Sequence, residues 1–316
     1  MGLTNFPNGV TSFGIPVMGG GVQIPVTTGS YFFVHSGTGS DSNSGKEPTA
    51  PVATLDHALG LCTSSKKDVI VLMPGHSETI TGAGGITLDK IGVHIVGLGD
   101  YDLRPTFLMD AATTVTCLVT SANVTVENVL FKAGHADIVV FATITAKGCT
   151  FKNCRWEENV ATENFITVMS VGAADNDSDG FTMQGCEIIQ GDTADLHAII
   201  INKNQNDVKL IGNYIRGIYD ATPYSAVYCP STEVLANFLM CYNTVYDAQA
   251  DGQNAPTVNL ACTTSTGMVY NNYAQVLDTA GETPFLGGAG GLGFFNNYSS
   301  GVAGTASGYL RPAADS

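Results

Sequence analysis

A pattern of about 28 residues returns along the chain and limits what the chain can fold into. Eight short segments carry it, and each can be aligned on one anchor position. The anchors are Gly97, Asn128, Asn153, Gly185, Gly212, Tyr242, Asn271 and Asn296. Successive anchors lie 25 to 32 residues apart. Repeats of this length are typical of solenoids and propellers, in which each unit packs on its neighbours.

The columns around the anchor indicate strands rather than helices. Apolar residues stand two and four positions before it, as Leu210 and Val208 do before Gly212. Apolar positions two apart predict a strand with one buried face. Short strands that stack in this way predict an all-β, single-stranded parallel β-helix of about 8–10 coils, ~40–50 Å long at ~4.8 Å per coil. The handedness of parallel crossovers makes the predicted solenoid right-handed.

The column directly after the anchor holds Asn on the last four repeats. These residues are Asn213, Asn243, Asn272 and Asn297. Asn tolerates the left-handed backbone of a tight turn, and stacked Asn side chains can hydrogen-bond to each other and to buried backbone. The shared register favours a structural Asn ladder over the alternative that Asn is simply frequent in turns.

With these repeats in place, the chain resembles the pectate-lyase-like family of right-handed parallel β-helix proteins, which includes many phage virion proteins. The stretch "YFFVHSGTGSDSNSGKEPTAPVATLDHALGLC" (31–62) is similar to the usual start of that fold. The resemblance implies a strand, a loop and a short helix, here at about 54–62, that covers the open end of the rod. It implies no single activity, because this fold serves lyases, hydrolases, esterases, adhesins and inert spikes.

These features divide the chain into four predicted parts. Residues 1–30 form an extended N-terminal arm, and 31–67 hold the first strand, the loop and the capping helix. The parallel β-helix occupies 68–300, with "DVIVLMPGHSETI" (68–80) as its first full coil. Residues 301–316 are predicted to be a small flexible tail.

Charge and cysteine content narrow the partners. The net charge is −15 with only 13 Lys and Arg, so the chain is predicted to repel nucleic acid and anionic membranes. None of the eight cysteines forms a CxxC pair or has a His at metal-ligand spacing. We therefore expect buried free thiols in a reducing compartment, with the chain made in the host cytoplasm.

Catalytic signatures of the fold are missing from the sequence. The polygalacturonase and pectin-esterase signatures of the family are absent, and no Asp pair lies on a predicted strand. Arg155 and Glu187 hold the same place on successive coils. They are interpreted as a surface ion pair worth under about 1 kcal/mol, in preference to a catalytic pair. The sequence thus predicts no enzyme and no cofactor.

Two further patterns suggest binding. In "DNDSDG" (175–180), Asp175, Asp177 and Asp179 match the opening of a calcium loop, although Cys186 stands where an EF-hand needs Glu. A solvated turn that projects from the rod is the favoured alternative to a Ca²⁺ site. Two positions after the anchor lies a second pattern, a stripe formed by Tyr214, Tyr273 and Tyr298. Such Tyr residues suit a subunit interface or a glycan face, and the interface is preferred.

The leader "MGLTNFPNGVTSFGIPVMGGGVQIPVTTGS" contains no Lys, Arg, Asp, Glu or His. It lacks the basic region of a signal peptide and the unbroken apolar run of a membrane span. Pro and Gly interrupt it, so it is expected to be extended. We expect it to order on a partner through its apolar and Pro side chains. The predicted contact residues are Phe6, Pro7, Val10, Phe13, Ile15, Val17 and Met18.

Together with the resemblance, these features favour a phage virion structural protein. In this interpretation the protein decorates or cements the outer surface of the capsid, with the major capsid protein and itself, as a homotrimer, as partners. The main alternative is a tailspike, or another β-helix protein that binds or depolymerises host polysaccharide. A secreted polysaccharide lyase is a third, less favoured hypothesis, because neither a secretion signal nor an Asp cluster is present.

Overall fold

The structure is a computed structural model. It describes residues 10–12, 15–17, 24–82, 84–160, 162–191, 195–219, 224–248, 256–276, 285–287, 291–301 and 311–312. Three sheets of ten, ten and eight strands run side by side along the described chain. The chain passes from the first sheet to the second, then to the third, and returns to the first one coil further on. The predicted parallel β-helix is thereby confirmed.

Each coil contributes strands of only two to five residues. The first sheet consists of Tyr31–Val34, Val69–Leu72, His94–Gly97, Thr125–Glu127, Thr150–Lys152, Thr182–Gln184, Lys209–Ile211, Phe238–Cys241, Gly267–Tyr270 and Leu292–Phe295. The second consists of Ser77–Ile80, Thr106–Met109, Leu130–Ala133, Arg155–Glu158, Glu187–Ile189, Tyr214–Gly217, Thr244–Asp247, Tyr273–Val276, Tyr298–Gly301 and Arg311–Pro312. The third consists of Ile86–Leu88, Cys117–Val119, Ala142–Ile144, Thr167–Val171, His197–Ile201, Val227–Cys229, Val258–Leu260 and Phe285–Gly287. A minor pair joins Gln205–Asn206 to Leu235–Ala236 in parallel.

The core is a column of stacked apolar side chains inside the coils. In the second sheet, Phe107, Phe131 and Trp156 stand in register on successive coils. Their ring centroids are 5.8 and 5.6 Å apart, and all three side chains are buried. Burial of one such ring contributes roughly 1.5–3 kcal/mol. The like-on-like stacking predicted from the repeat therefore fixes the register of the coils.

The turn from the first sheet to the second usually contains two residues. Its first residue is the anchor of the repeat, which has a positive φ between +49° and +62° from Asn128 onward. Asn, Gly or, once, Tyr242 occupies this left-handed position. The sequence interpretation assigned the left-handed backbone to the column one residue later. That column instead points its side chains into the coil, where they hydrogen-bond.

The Asn side chains of this column are linked from coil to coil. Asn243 Nδ2 donates to Leu210 O at 2.8 Å and to Asn272 Oδ1 at 2.8 Å. Asn243 Oδ1 accepts from the Asn213 backbone N–H at 2.9 Å. Asn297 continues the series, because its Oδ1 accepts from the Asn272 N–H at 3.1 Å. Each buried amide thus satisfies backbone groups of the neighbouring coil.

A helix at Leu55–Leu61 covers the first coil, close to the predicted 54–62. Thr54 Oγ1 accepts from the His57 N–H at 3.2 Å and caps the helix N-terminus. Glu78 Oε2 accepts from the Leu55 N–H at 3.0 Å, so the second sheet supplies another capping group. Leu55, Ala58 and Leu59 are buried. No helix in the described ranges has the length and apolar content that crossing a bilayer requires.

Short antiparallel strand pairs occur near both ends of the chain. In the leader, Val10–Ser12 and Ile15–Val17 pair as antiparallel strands, although Pro and Gly argued against regular structure there. In the tail, Arg311–Pro312 pairs antiparallel with Tyr298 and Ser299. Two or three residue pairs suffice for such strands, and an alternating pattern is too short to reveal them.

Candidate functional site

A groove of about 880 Å³ lies on the outer face of the second sheet in the first half of the solenoid. Its size is that of sites that hold small ligands. The lining residues are Gly75, His76, Ser77, Asp100, Tyr101, Asp102, Arg104, Thr106, Leu108, Leu130, Lys132, Arg155, Glu157 and Asn159. The floor therefore consists of outward side chains from successive coils, and the walls come from turns between the first and second sheets.

One wall exists because the connection 98–105 is longer than the usual two-residue turn. It contains a 3-10 turn at Tyr101–Leu103. Arg104 secures it, since Nε donates to Asn128 Oδ1 at 2.9 Å and Nη2 donates to Asn153 O at 3.0 Å. The wall is thus hydrogen-bonded to the turns of the next two coils.

Tyr101 stands on this wall in an unusual state. Its φ is +50°, and its side chain is 95% exposed. A left-handed backbone costs a bulky residue about 1–2 kcal/mol, and exposure of the ring provides no packing in return. Such a residue marks a position shaped for recognition, and an exposed Tyr ring offers an apolar face with a polar tip.

The floor of the groove carries a network of ion pairs. Glu157 Oε1 lies 3.0 Å from Lys132 Nζ, and its Oε2 lies 2.8 Å from Arg155 Nε. Arg155 Nη1 also lies 3.3 Å from Glu187 Oε2, and these two residues stand in register on adjacent strands. Both oxygens of Glu157 are thus within ion-pair distance of a cation. The network presents charged hydrogen-bonding groups of both signs to the groove.

A second apolar cluster lies outside the coils, on the first sheet. It consists of Ile24, Phe33, Val69, Val71, Val96 and Leu98, with Tyr31 and Met73 packed against it. Ile24 belongs to the leader, yet only 7% of it is exposed. Ser30 N–H donates to Asp68 Oδ1 at 2.7 Å, and Tyr31 Oη donates to Pro25 O at 3.1 Å. We call this surface, with residues 24–30 on it, the leader seat.

The leader seat shortens the predicted free arm. Residues 24–30 pack on the solenoid, so only 1–23 precede the seat. Of the predicted contact residues, Val10, Ile15 and Val17 lie in the two leader strands. Phe6, Pro7, Phe13 and Met18 lie outside the described residues.

A charged cluster borders the leader seat on the same outer face. Glu127 lies 3.3 Å from His94 Nε2 and 2.8 Å from Lys152 Nζ. The contact with His94 is the main cause that lowers the pKa of Glu127, and Lys152 adds to it against the opposing effect of burial. This cluster was not predicted, because its members come from three different coils.

The residues of the predicted Tyr stripe stand in register on strands of the second sheet. Tyr214 is aligned with Thr244, Thr244 with Tyr273, and Tyr273 with Tyr298, on successive strands of the second sheet. Tyr214 and Tyr298 are exposed. Tyr273 Oη donates to Gln275 Oε1 at 3.1 Å. The stripe is therefore a continuous outward surface on the last coils.

The carboxylates of the 175–180 loop are used within the fold. Asp177 Oδ2 accepts from the Ala173 and Ala174 N–H groups at 3.0 and 2.9 Å. Asp179 Oδ1 accepts from the Asn206 N–H at 2.9 Å, while its Oδ2 lies 2.9 Å from Lys147 Nζ. Asp175 Oδ1 accepts from the Asn204 N–H at 3.2 Å. These contacts join the loop to neighbouring coils, and no three metal-ligating side chains converge anywhere in the described ranges.

A buried polar cluster where the second sheet leads to the third has no counterpart in the sequence interpretation. Tyr219 Oη donates to Gln190 Oε1 at 3.0 Å. Burial raises the pKa of Tyr219 strongly, and the nearby carboxylates of Asp195 and Asp247 raise it further. Gly217 leaves room for the Tyr219 ring, which lies 2.4 Å from the place of a Cβ. The Tyr219 ring therefore occupies the space that a side chain at position 217 would fill.

Comparison with known proteins assigns the chain to no family. No protein-family model and no curated protein matches this chain. A rhamnogalacturonan lyase of known structure is 13% identical, with a TM-score of 0.46 over 85% of this chain and 87% of that one. A GH136 lacto-N-biosidase from Eubacterium ramulus is 12% identical, with a TM-score of 0.44 over 78% of this chain and 56% of that one. The parallel β-solenoid is established by the order and parallel pairing of the strands in the three sheets.

Proposed function

We propose that this protein is a structural protein of a phage virion that decorates or cements the outer capsid surface. In this proposal residues 1–23 dock on the major capsid protein, and the solenoid acts as a rigid body without catalytic activity. The observation that carries it is the leader seat. Because Ile24 is buried against the first coils, the uncharged leader begins at a fixed point on the body.

The contrast in charge supports docking through the leader. The chain carries a net charge of −15, but residues 1–23 contain no charged side chain. An acidic body is repelled by acidic surfaces, whereas an uncharged apolar segment can lie on a partner by burying its side chains.

A truncation tests this proposal. A chain that starts at residue 24 keeps the leader seat and should fold with an unchanged melting temperature. We expect its affinity for phage shells that lack this protein to fall at least tenfold, as measured by co-sedimentation and imaging of the shells. Asp175→Asn, which changes an exposed loop far from the leader, should bind like the intact protein. Equal binding by the truncated chain, or none by the intact chain, would refute the proposal.

A second candidate function is recognition of a polysaccharide in the groove, without cleavage. The exposed and strained Tyr101 favours it, because the ring can stack on the apolar face of a sugar. The groups of Lys132, Arg155 and Glu157 could then hydrogen-bond sugar hydroxyls or a uronate carboxylate.

Calorimetric titration with bacterial surface polysaccharides tests the second function. Tyr101→Ala and Arg155→Gln should each weaken binding about tenfold or more, while Val139→Ser, a change at another exposed apolar residue, should not. Absence of binding to every glycan would reject this function. Release of new reducing or unsaturated ends would show instead that the groove is catalytic.

A further inference from the structure

Exposed aromatic and Met side chains gather at one corner of the solenoid, on the last coils. We call this surface the aromatic ridge; it consists of the exposed Tyr214, Tyr242, Met268, Phe295 and Tyr298, together with the half-buried Tyr270. Tyr242 is 60% exposed, Met268 is 50% exposed and Phe295 is 56% exposed. Large apolar side chains that are exposed next to one another are typical of interaction surfaces.

The ridge is continuous because the register aligns its members. Tyr270 and Phe295 are paired as the last residues of adjacent strands in the first sheet. Tyr242 occupies the turn that follows the preceding strand, and its ring centroid is 5.6 Å from that of Tyr270. Tyr298 begins the second sheet directly after this corner. The ridge therefore extends the Tyr stripe around the corner onto the first sheet.

Tyr242 shows that the ridge is not required by the fold. Its φ is +59°, at a position where six other repeats from Asn128 onward have Asn or Gly. A Tyr in this conformation costs roughly 1–2 kcal/mol compared with Gly, and its exposed ring recovers little of that. Strain that the fold does not need points to a role outside the fold.

Glu187 lies in register beside Tyr214 at the border of the ridge but is paired with Arg155, and the two cations that remain there suit an acidic protein as the partner. The six ridge residues carry no charge, and enrichment in Tyr, Phe and Met with depletion of charge is typical of interface cores. Lys209 and Arg216 lie at its border and are exposed, and neither forms an ion pair within the described part of the chain. The chain itself, at −15, is such an acidic partner.

We infer that the aromatic ridge is the interface through which copies of this chain associate. The uncharged centre is the face where two strongly acidic bodies repel each other least. Lys209 and Arg216 then meet carboxylates of the neighbouring copy at the rim, which steers association. The contact is independent of the leader and of the groove, so it goes beyond both proposed functions.

Sedimentation velocity of the intact chain between about 1 and 100 µM tests the inference. The wild-type protein should sediment as a closed oligomer, whose mass gives the number of copies. The double variant Tyr242→Asn, Phe295→Ser should weaken association at least tenfold. Because Asn is the common residue at this turn, the variant should melt at the wild-type temperature or higher. This separates a lost interface from a lost fold.

Tyr101→Asn is the matched control, because it relieves the same kind of backbone strain far from the ridge. It should keep the wild-type oligomeric state. A wild-type monomer throughout the concentration range would overturn the inference, as would an oligomer that the double variant leaves intact. If the monomer instead binds soluble oligosaccharide with a change in Tyr fluorescence that the double variant abolishes, the ridge is a glycan face.

Discussion

The two halves of the solenoid build the same corner with different chemistry. In the column after the anchor, the second half has Asn213, Asn243, Asn272 and Asn297, whereas the first half has Leu98, Val129, Cys154 and Cys186. Cys186 Sγ donates to Phe151 O at 3.4 Å, and Asn213 Nδ2 donates to Met183 O at 3.0 Å. The accepting carbonyl occupies the same place in both coils. A thiol in the first half and an amide in the second half therefore donate to equivalent carbonyls, and the thiol is the weaker donor.

This difference between Cys and Asn changes the hydrogen bonds that link neighbouring coils. Cys154 and Cys186 are linked to the preceding coil as donors alone, whereas an Asn side chain also accepts from the backbone of that coil. Cys186 N–H, for example, donates to Asn213 Oδ1 at 2.9 Å. The Asn half thus has a directional chain of hydrogen bonds through its interior, which the first half lacks. Such a network stabilises strongly when complete and costs much when broken.

The largest expected effect comes from breaking the ladder in its middle. Asn243→Leu removes an acceptor from the Asn213 N–H and a donor from Leu210 O, and both groups stay buried. Each unsatisfied buried group costs about 1–3 kcal/mol, so the two together should lower the free energy of unfolding by about 2–6 kcal/mol. Urea denaturation followed by circular dichroism measures it.

Cys154→Val is the matched change in the first half. Val129 already fills this column one coil earlier, so the loss should stay below about 1 kcal/mol. Equal losses from the two substitutions would show that the Asn network adds nothing to the column.

Acid should act on the second half through His197. This ring stacks on Tyr228 at 4.9 Å, and burial lowers its pKa from 6.5 to about 4. Between those values the unfolded chain binds the proton and the folded chain does not. Stability is therefore complete above pH 6.5 and is lost as the pH falls towards 4, by up to about 3 kcal/mol from this group.

His197→Phe tests this dependence. The variant should be less stable at pH 7, because Ser225 O loses its contact with Nδ1 at 2.9 Å. It should nevertheless lose less stability than the wild type between pH 7 and 4.5, as measured by denaturation at each pH. A pH dependence identical to that of the wild type would argue against a buried neutral His.

A smaller effect is expected where the first half is capped. Glu78→Ala removes the acceptor of the Leu55 N–H at the start of the capping helix. The loss of a charged capping group should cost about 1–2 kcal/mol and lower the melting temperature by a few degrees. Glu78→Gln keeps an acceptor, so its melting temperature should lie between those of the wild type and Glu78→Ala. Equal losses from the two substitutions would show that the charge alone is responsible.

The smallest effect is expected on the outer surface of the corner. Glu187→Gln removes the partner of Arg155 Nη1, and both side chains are partly exposed to solvent. Exposed pairs contribute about 0–1 kcal/mol, so the melting temperature should change by less than about two degrees. A larger fall would mean that the groove floor depends on this contact.

The repeat in the sequence predicts the stacked core positions, but it does not predict features that occur at variable distances from the anchor. Stacked positions such as Phe151 and Leu210 lie in the core because a column must be apolar on every coil. The third sheet was not recognised, since strands as short as Ala142–Ile144 lie at variable distances from the anchor. The capping helix was found from the motif around Leu55, which is local in the chain.

The groove and the leader seat depend on contacts that a pattern does not contain. The wall at Tyr101 exists only because Arg104 reaches two later coils. Ile24 lies within the predicted arm. It packs on the solenoid because Val71 and Val96 form an apolar surface on the outer face of the first sheet. Interactions between distant residues without periodicity leave no sequence signal.

The eight buried thiols are spread from the capping helix to the last coils. Burial raises the pKa of Cys62 and Cys117 to about 12, so neither reacts as a thiolate while its coil is closed. The neighbouring Cys229 thiol instead lowers the pKa of Cys262. The rate at which an alkylating reagent labels each position would therefore time the opening of that coil. In a solenoid, whose units contact only their neighbours, those rates would reveal from which end the rod unravels.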